Sequence, residues 1–121
     1  MMSYFFFYTL GRVIFGGYFL YNAFNHLVKS NALAGYAASK GVKNPKAAVI
    51  GSGLLLLVGG LSVLTGFMMR WGAVALIIFL VPVTYKMHAF WKEQDPMARA
   101  NQQVAFAKNV ALIGAALMMI Y

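Results

Sequence analysis

Two histidines are the residues of this sequence best suited to proton chemistry. His26 and His88 can titrate near neutral pH, and an imidazole both donates and accepts hydrogen bonds. On a helix that turns about 100° per residue, His26 shares a face with Asn22, and His88 shares one with Tyr85. Side chains of these types can hydrogen-bond a carbonyl oxygen and exchange a proton with it. The predicted polar cluster is Asn22, Asn25, His26, Tyr85, His88, Lys108 and Asn109.

This cluster could serve several kinds of site. A metal centre is disfavoured, because zinc and iron usually need three or four ligands and no Cys, Asp or Glu is placed to help. A haem held by His26 and His88 is disfavoured because its two axial imidazoles must oppose each other. A quinone whose carbonyl oxygens accept hydrogen bonds from His, Tyr and Asn fits better. The residues most favour a network of hydrogen bonds that only locks helices together.

The composition indicates the environment in which these residues work. Of the 121 residues, 62% are hydrophobic and 10% are charged, whereas about a quarter of the residues are charged in an ordinary soluble domain. The chain is therefore predicted to be an integral membrane protein. The net charge of +8 comes mainly from cations in short connections, which favours anionic lipid rather than nucleic acid as the partner. The absence of cysteine excludes thiol chemistry, so redox electrons must come from another subunit.

The apolar segments predict an all-α fold, a four-helix transmembrane bundle that forms a single integral membrane domain. Asn44 with Pro45, and Asp95 with Pro96, provide a helix cap followed by proline at the first helical position. The first connection has a pattern typical of a short helix on the membrane surface. The predicted spans are about 4–27, 47–69, 71–91 and 97–121.

Charge asymmetry predicts the orientation of the bundle. The first and third connections carry most of the lysines, whereas the second carries Arg70 alone, so both termini are predicted on the non-cytoplasmic side. The start of the sequence, "MMSYFFFYTLGR", lacks the basic n-region and the small-residue cleavage site of a signal peptide, and we interpret the first apolar segment as a retained span.

Arg12 is the one cation inside the first predicted span. At about 1.5 Å per residue it lies about 21 Å along the helix from His26, so the two cannot belong to one small site. Arg12 can extend to the headgroups or bond backbone carbonyls. The alternative is contact with an anionic or carbonyl-bearing ligand, such as a lipid phosphate or a quinone head.

Four stretches of the sequence are characteristic: "GRVIFGGYFL", "GYAASKGV", "LLLLVGGLSVLTG" and "MHAFWKEQDPMARANQQVAFAKNVALIGAAL". Together they resemble the DoxX family of small bacterial membrane proteins. The last stretch is similar to the family's "H-x-F-W... F-x-K-N-x-A-L" pattern, with His88 and Trp91 followed by Lys108 and Asn109. These four residues are the ones that the resemblance implies as a site.

The resemblance implies a four-span bundle in the bacterial cytoplasmic (inner) membrane. It also implies a relation to the small subunit of a thiosulfate:quinone oxidoreductase and to membrane partners of oxidative-stress enzymes. Many members of the family carry a glutamate in the second span ahead of a "GG" pair, whereas the corresponding region here, Leu54 to Val58, is apolar. An activity that needs that carboxylate is not expected of this chain.

Two functions from different classes follow. The first is a subunit of a membrane oxidoreductase system that is not catalytic on its own and has a quinone pocket at the His26 and His88 end. The second is a structural or assembly subunit that anchors or stabilises a larger membrane complex. In either case the expected partners are the bilayer and other subunits or further copies of the chain. A transporter is disfavoured because no span contains an acidic residue.

Overall fold

The fold is a set of helices without strands in the part of the chain that the structure describes. The computed structural model describes residues 2–121. Four of its five α-helices are long, and a short 3₁₀ turn lies between the last two. The elements are α1 (Met2–Val28), α2 (Ser30–Ser39), α3 (Pro45–Thr65), α4 (Met69–Met87), the turn η1 (Phe90–Lys92) and α5 (Pro96–Met118).

Local sequence explains several of the helix ends. The Asp95 carboxylate accepts a hydrogen bond of 2.9 Å from the backbone N–H of Ala98, and Pro96 occupies the first turn of α5, as predicted. Pro45 begins α3 in the same way, but Asn44 before it adopts a left-handed conformation and its side chain makes no cap. Gly66 ends α3 with φ of 82°, a conformation that glycine adopts without steric cost.

The long helices pack in the order α1 against α3, α3 against α4, and α4 against α5, and glycines lie at the first two of these contacts. A Cβ added to Gly16 of α1 would lie 2.8 Å from the backbone nitrogen of Leu64 in α3. A Cβ added to Gly59 would lie 2.7 Å from the Leu76 side chain of α4. The helices therefore approach so closely that only hydrogen fits at these positions. The core between them consists of Phe19, Ala23, Leu56, Val63, Leu76 and Leu80.

The two ends of this helix assembly differ in charge and in structure. At one end, the C-termini of α1 and α4 meet the N-termini of α3 and α5, and α2 packs on α3. At the other end, the α3–α4 turn lies beside the chain's C-terminus, where Arg70 Nε donates to the carbonyl oxygen of Ile120 at 3.0 Å. We call these the lysine-rich end and the arginine end, because their cations are mostly lysines and arginines respectively.

Two segments within residues 2–121 are long and apolar enough to cross a membrane, by length and composition. They are α3, with mean hydropathy 2.2, and Met69–Lys92, with mean hydropathy 1.7. The helices α1 and α5 are also long, but α1 includes Arg12 and α5 includes Gln102 and Lys108, which lower their hydropathy.

The structure departs from the sequence analysis at the end of the third predicted span. The helix α4 ends at Met87 rather than near Trp91, and His88 is its C-cap with φ of −118°. The chain then turns through η1. The apolar and aromatic residues after His88 extend the hydropathy signal past the end of the helix, because hydropathy measures composition and not backbone conformation.

An ion pair ties the end of α2 to η1 at the lysine-rich end. The Lys40 ammonium lies 2.9 Å from the Glu93 carboxylate, with side-chain exposures of 23% and 27%. The hydrogen bond to Glu93 raises the pKa of Lys40 above its ordinary value of 10.5. The stabilisation that follows is complete below pH 10.5 and disappears as the pH rises through the higher pKa of the folded state.

We expect Lys40→Met to lower the free energy of unfolding by at most about 1 kcal/mol at neutral pH, because the pair is partly exposed. The difference from the wild type should vanish at pH values above the raised pKa of Lys40. Unfolding in mixed micelles, followed by circular dichroism at both pH values, measures it. A Glu93→Gln variant should show the same loss at neutral pH, and a loss that persists unchanged in strong alkali would contradict this role of the ion pair.

Candidate functional site

A cavity of about 540 Å³ lies at the lysine-rich end, between α1, α3, α4 and α5 and beneath α2. Apolar side chains such as Phe19, Leu55 and Phe79 form most of its wall. Five of the seven residues in the predicted polar cluster line this cavity, so the structure brings them together around one space. The five are Asn22, His26, His88, Lys108 and Asn109.

His26 is fixed by hydrogen bonds to α3. Its Nδ1 lies 3.2 Å from the carbonyl oxygen of Val49 and 3.0 Å from Ser52 Oγ. Because a carbonyl oxygen only accepts, we assign the proton of the neutral ring to Nδ1. The other ring nitrogen, Nε2, has no hydrogen-bond partner among residues 2–121 and keeps its lone pair. Gly53 permits this arrangement, since an added Cβ there would lie 2.9 Å from His26 Cβ.

His88 is held in a similar way by side chains of α5 and α2. Its Nδ1 lies 2.8 Å from Gln102 Oε1, and Gln102 Nε2 donates to the Tyr36 hydroxyl at 3.0 Å. This chain of hydrogen bonds joins the end of α4 to α5 and α2. With Nδ1–H donating to the amide oxygen, Nε2 has no hydrogen-bond partner among residues 2–121. The cavity is thus lined by two imidazoles whose Nδ1 atoms are held by the protein.

Lys108 supplies the positive charge of the site. Its ammonium donates to the Tyr18 hydroxyl at 2.9 Å and lies 5.5 Å from the centre of the Tyr18 ring. This contact bridges α5 and α1, whose backbones approach each other little. Both acidic residues of the chain are engaged elsewhere, Glu93 with Lys40 and Asp95 as the cap of α5. The Lys108 charge is therefore left without a carboxylate partner in the described chain.

The two asparagines of the cavity differ in how they are held. Asn22 Nδ2 donates to the carbonyl oxygen of Tyr18 one turn earlier at 2.9 Å, which leaves Oδ1 as an acceptor. Asn109 is buried, with 5% of its surface exposed, and follows Lys108 directly on α5. Its amide is a donor as well as an acceptor at the cavity wall.

Two members of the predicted cluster lie outside the cavity lining, Asn25 and Tyr85. Tyr85 is 67% exposed, and its ring centre lies 5.7 Å from that of Trp91. Tyr85 lies within α4, on the same exposed side of the helix as Val81, which is 51% exposed. Thr84, one residue earlier, occupies the buried face instead.

Arg12 lies at the arginine end, as its distance from His26 along α1 predicts, and it does not line the cavity described above. Its guanidinium carbon is 5.4 Å from the centre of the Tyr8 ring. It also packs against Gly66 at the end of α3.

Four further residues shape the site without having been singled out from the sequence: Tyr18, Ser52, Gln102 and Tyr36. Tyr18 could have been found, because it precedes Asn22 by one helical turn on the same face of α1. Ser52 and Gln102 carry no such signal. Each acts through a contact with a histidine on another element, and only the tertiary structure reveals it.

The cavity offers hydrogen bonds and proton transfer rather than metal coordination by protein side chains. Among residues 2–121, no group of three or more His, Cys, Asp or Glu side chains is placed to hold a metal ion. A neutral ligand with oxygen acceptors could bond to Lys108 and Asn109. Protons could be exchanged at Nε2 of either histidine.

Comparison with known proteins agrees with the resemblance seen in the sequence. The model of the DoxX family matches residues 7–89, which include most of α1, all of α2, α3 and α4, and His88. The match ends before Lys108 and Asn109, so it does not extend to the α5 part of the cavity. No curated protein and no solved structure matches the chain. Because the family model covers more than half of its residues, the chain belongs to the DoxX family.

Proposed function

We propose that this DoxX-family membrane protein is a quinone-binding subunit of a membrane oxidoreductase system and is not catalytic on its own. The observation that supports the proposal is the cavity of about 540 Å³, in which an apolar wall surrounds two imidazoles with free Nε2 atoms, one ammonium and one buried amide. A quinone is complementary to this combination, because its flat apolar ring carries two carbonyl oxygens that accept hydrogen bonds.

Each polar group has a place in this proposal. The Lys108 ammonium and the Asn109 amide donate to a quinone carbonyl, and a charged donor makes the stronger bond. Reduction of a quinone to its quinol consumes two electrons and two protons. Protons pass through Nε2 of His26 or His88, whose rings are held in place through Nδ1. The electrons come from a partner subunit, since the chain has no cysteine that could act as a thiol reductant or hold an iron–sulfur cluster.

The membrane arrangement that accompanies the proposal has four crossings. The two most apolar segments, α3 and Met69–Lys92, cross the bilayer. The helices α1 and α5 cross it as well, since they are long enough at 27 and 23 residues. The helix α2 lies on the surface at the lysine-rich end. That end faces the cytoplasm of a bacterium, because basic residues concentrate on the cytoplasmic side of inner-membrane proteins.

The competing function is structural, and a specific observation favours it. The hydrogen bonds of His26 to α3 and of His88 to α5 join separate helices, as does Lys108 with Tyr18. A polar layer of this kind stabilises a bundle without binding a ligand, by about 0.6–2 kcal/mol per bond. A subunit that only anchors or stabilises a larger complex needs such a polar layer but no ligand-binding site.

Replacing Lys108 with methionine distinguishes the two functions. We expect the purified wild type in detergent to bind decylubiquinone saturably, and Lys108→Met to bind it at least about 10-fold more weakly, because a hydrogen bond from a charged group contributes about 1.5–3 kcal/mol. Titration calorimetry measures the affinity. Lys92→Met is the matched control, since Lys92 is at the same end but outside the cavity lining, and it should bind like the wild type.

The Tyr18→Phe variant separates binding from packing. It removes the hydroxyl that Lys108 contacts but leaves the ammonium free to meet the ligand. We expect it to keep the affinity for decylubiquinone. Absence of saturable binding by the folded wild type would overturn the proposal. Equal affinities of the wild type and Lys108→Met, with a loss of stability alone, would support the structural function instead.

A further inference from the structure

A second cavity, of about 270 Å³, lies at the arginine end and plays no part in the proposed function. Aromatic and sulfur-containing side chains form most of its wall, and Arg12 supplies its only charge. The lining also includes Gly11, so one side of the cavity is bounded by bare helix backbone. The residues around it are Phe7, Tyr8, Gly11, Arg12, Phe15, Met69 and Met119.

The structure places Arg12 level with the α3–α4 turn rather than deep within the bundle. Its guanidinium carbon would lie 3.2 Å from a Cβ added to Gly66, and the Tyr8 hydroxyl lies 3.5 Å from Met69 Sδ at the start of α4. The first two turns of α1 therefore extend past the ends of α3 and α4. Their aromatic side chains are exposed, for example Phe5 at 70%. Exposed aromatic residues at the ends of spans are typical of the headgroup layer of a bilayer.

The charge of Arg12 is not balanced by any described residue. Both acidic side chains of the chain lie at the lysine-rich end, where Glu93 pairs with Lys40 and Asp95 caps α5. The end of α3 beside Gly66 contributes the partial negative charge of a helix C-terminus, about half a unit. The Arg12 Nε atom is buried and has no hydrogen-bond partner among residues 2–121. Because arginine stays protonated, about half of its charge remains to be compensated.

We propose that this cavity binds the phosphate group of an anionic amphiphile, with Arg12 as the recognising residue. A guanidinium presents a planar fork of N–H donors that matches two phosphate oxygens. The apolar wall of Phe7, Phe15 and Met119 accommodates the adjoining acyl chains, and the headgroup lies at the level where the bilayer presents phosphates. The same phosphate chemistry is offered by a lipid and by free phosphate, so the experiment must compare the two.

The test measures binding to full-length protein in dodecylmaltoside micelles. Dioleoyl phosphatidylglycerol is the probe, dioleoyl phosphatidylcholine is the zwitterionic control, and sodium phosphate is the headgroup without chains. Lipid retention in native mass spectrometry and the shift in thermal unfolding temperature are the two readouts. We expect phosphatidylglycerol to be retained and to raise the unfolding temperature by several degrees, and the other two probes to do neither.

Three variants make the result specific. Arg12→Gln should lose the retained phosphatidylglycerol and its thermal shift. Arg70→Gln removes a cation at the same end but outside the cavity, and it should behave like the wild type. Gly11→Phe keeps all charges and fills the cavity; a Cβ there meets nothing within 4 Å, so the variant should fold and lose the lipid.

The outcomes that overturn the proposal are equally definite. If Arg12→Gln and Arg70→Gln weaken lipid retention equally, the attraction is a general surface charge. If the folded Gly11→Phe variant still retains the lipid, the cavity is not the site. Saturable binding of sodium phosphate as strong as that of phosphatidylglycerol would assign the site to a free anion. Equal retention of the zwitterionic lipid would remove the role of charge.

Discussion

Gly16→Ala is expected to lower the free energy of unfolding by about 2–3 kcal/mol, as overpacking of a close contact does. The added Cβ would lie 2.8 Å from the Leu64 nitrogen and 2.9 Å from the Gly60 carbonyl oxygen. Both atoms belong to the α3 backbone, which cannot move aside as a flexible side chain can. The helices α1 and α3 must therefore separate, and the contacts along their whole interface weaken.

The neighbouring Gly17→Ala variant is the matched control. A Cβ at Gly17 meets nothing within 4 Å, so only the helix propensity changes, in favour of alanine by up to about 1 kcal/mol. Unfolding in mixed micelles with increasing sodium dodecyl sulfate, followed by circular dichroism, measures both variants. Equal stability of the two would show that α1 does not contact α3 through the Gly16 face.

Leu56→Ala is expected to lower the free energy of unfolding by about 2 kcal/mol or more, which is the second large effect. Leu56 is completely buried between the long helices, and truncation leaves a cavity that the surrounding side chains fill only in part. In a membrane the cost comes from lost packing contacts rather than from exposure to water, because lipid is as apolar as leucine. The same unfolding assay measures it.

Leu54→Ala, two residues away on α3, isolates the role of burial. Leu54 is 52% exposed, so its truncation should change the unfolding free energy by no more than about 0.5 kcal/mol. A cost equal to that of Leu56→Ala would mean that Leu54 is also covered, for example by another copy of the chain. The pair of variants therefore tests which face of α3 is inside.

The helical periodicity of α1 is the part of the site that could be predicted well. One stripe includes Phe19, which is almost completely buried, and Asn22 and His26, which line the cavity. These residues share one face because α1 is a continuous helix from Met2 to Val28, so a turn of about 100° per residue holds over its whole length. The cap at Asp95 was predictable for a similar reason, since it depends on residues three apart.

The surroundings of His88 could not be predicted from the same rule. His88 lies just beyond α4, where the backbone leaves the helical conformation and side chains no longer follow its spacing. Its partner Gln102 comes from α5, and the contact depends on how the third connection folds back. Tyr85, which was predicted to join His88, lies within α4 but faces outward, with 67% of its surface exposed.

The position of Arg12 relative to the ends of the other helices could not be predicted from the sequence. The apolar residues from Tyr4 onward placed it inside a span, whereas the structure places it beside Gly66 at the end of α3. Hydropathy shows which segment is apolar, but not how neighbouring helices are aligned along their axes. The close approach of Gly16 to α3 fixes that alignment, and no local pattern in the sequence reveals it.

The most direct test of the central claim is photolabelling of the wild-type protein in bilayer nanodiscs with an azido-ubiquinone. Mass spectrometry of the peptides identifies the labelled residues. We predict saturable labelling of the α1 segment from Tyr18 to His26 and of the α5 segment around Lys108, and we expect excess decylubiquinone to suppress it. Labelling that is not suppressed, or that falls on outward-facing residues such as Leu54 and Val58, would contradict a quinone site in this cavity.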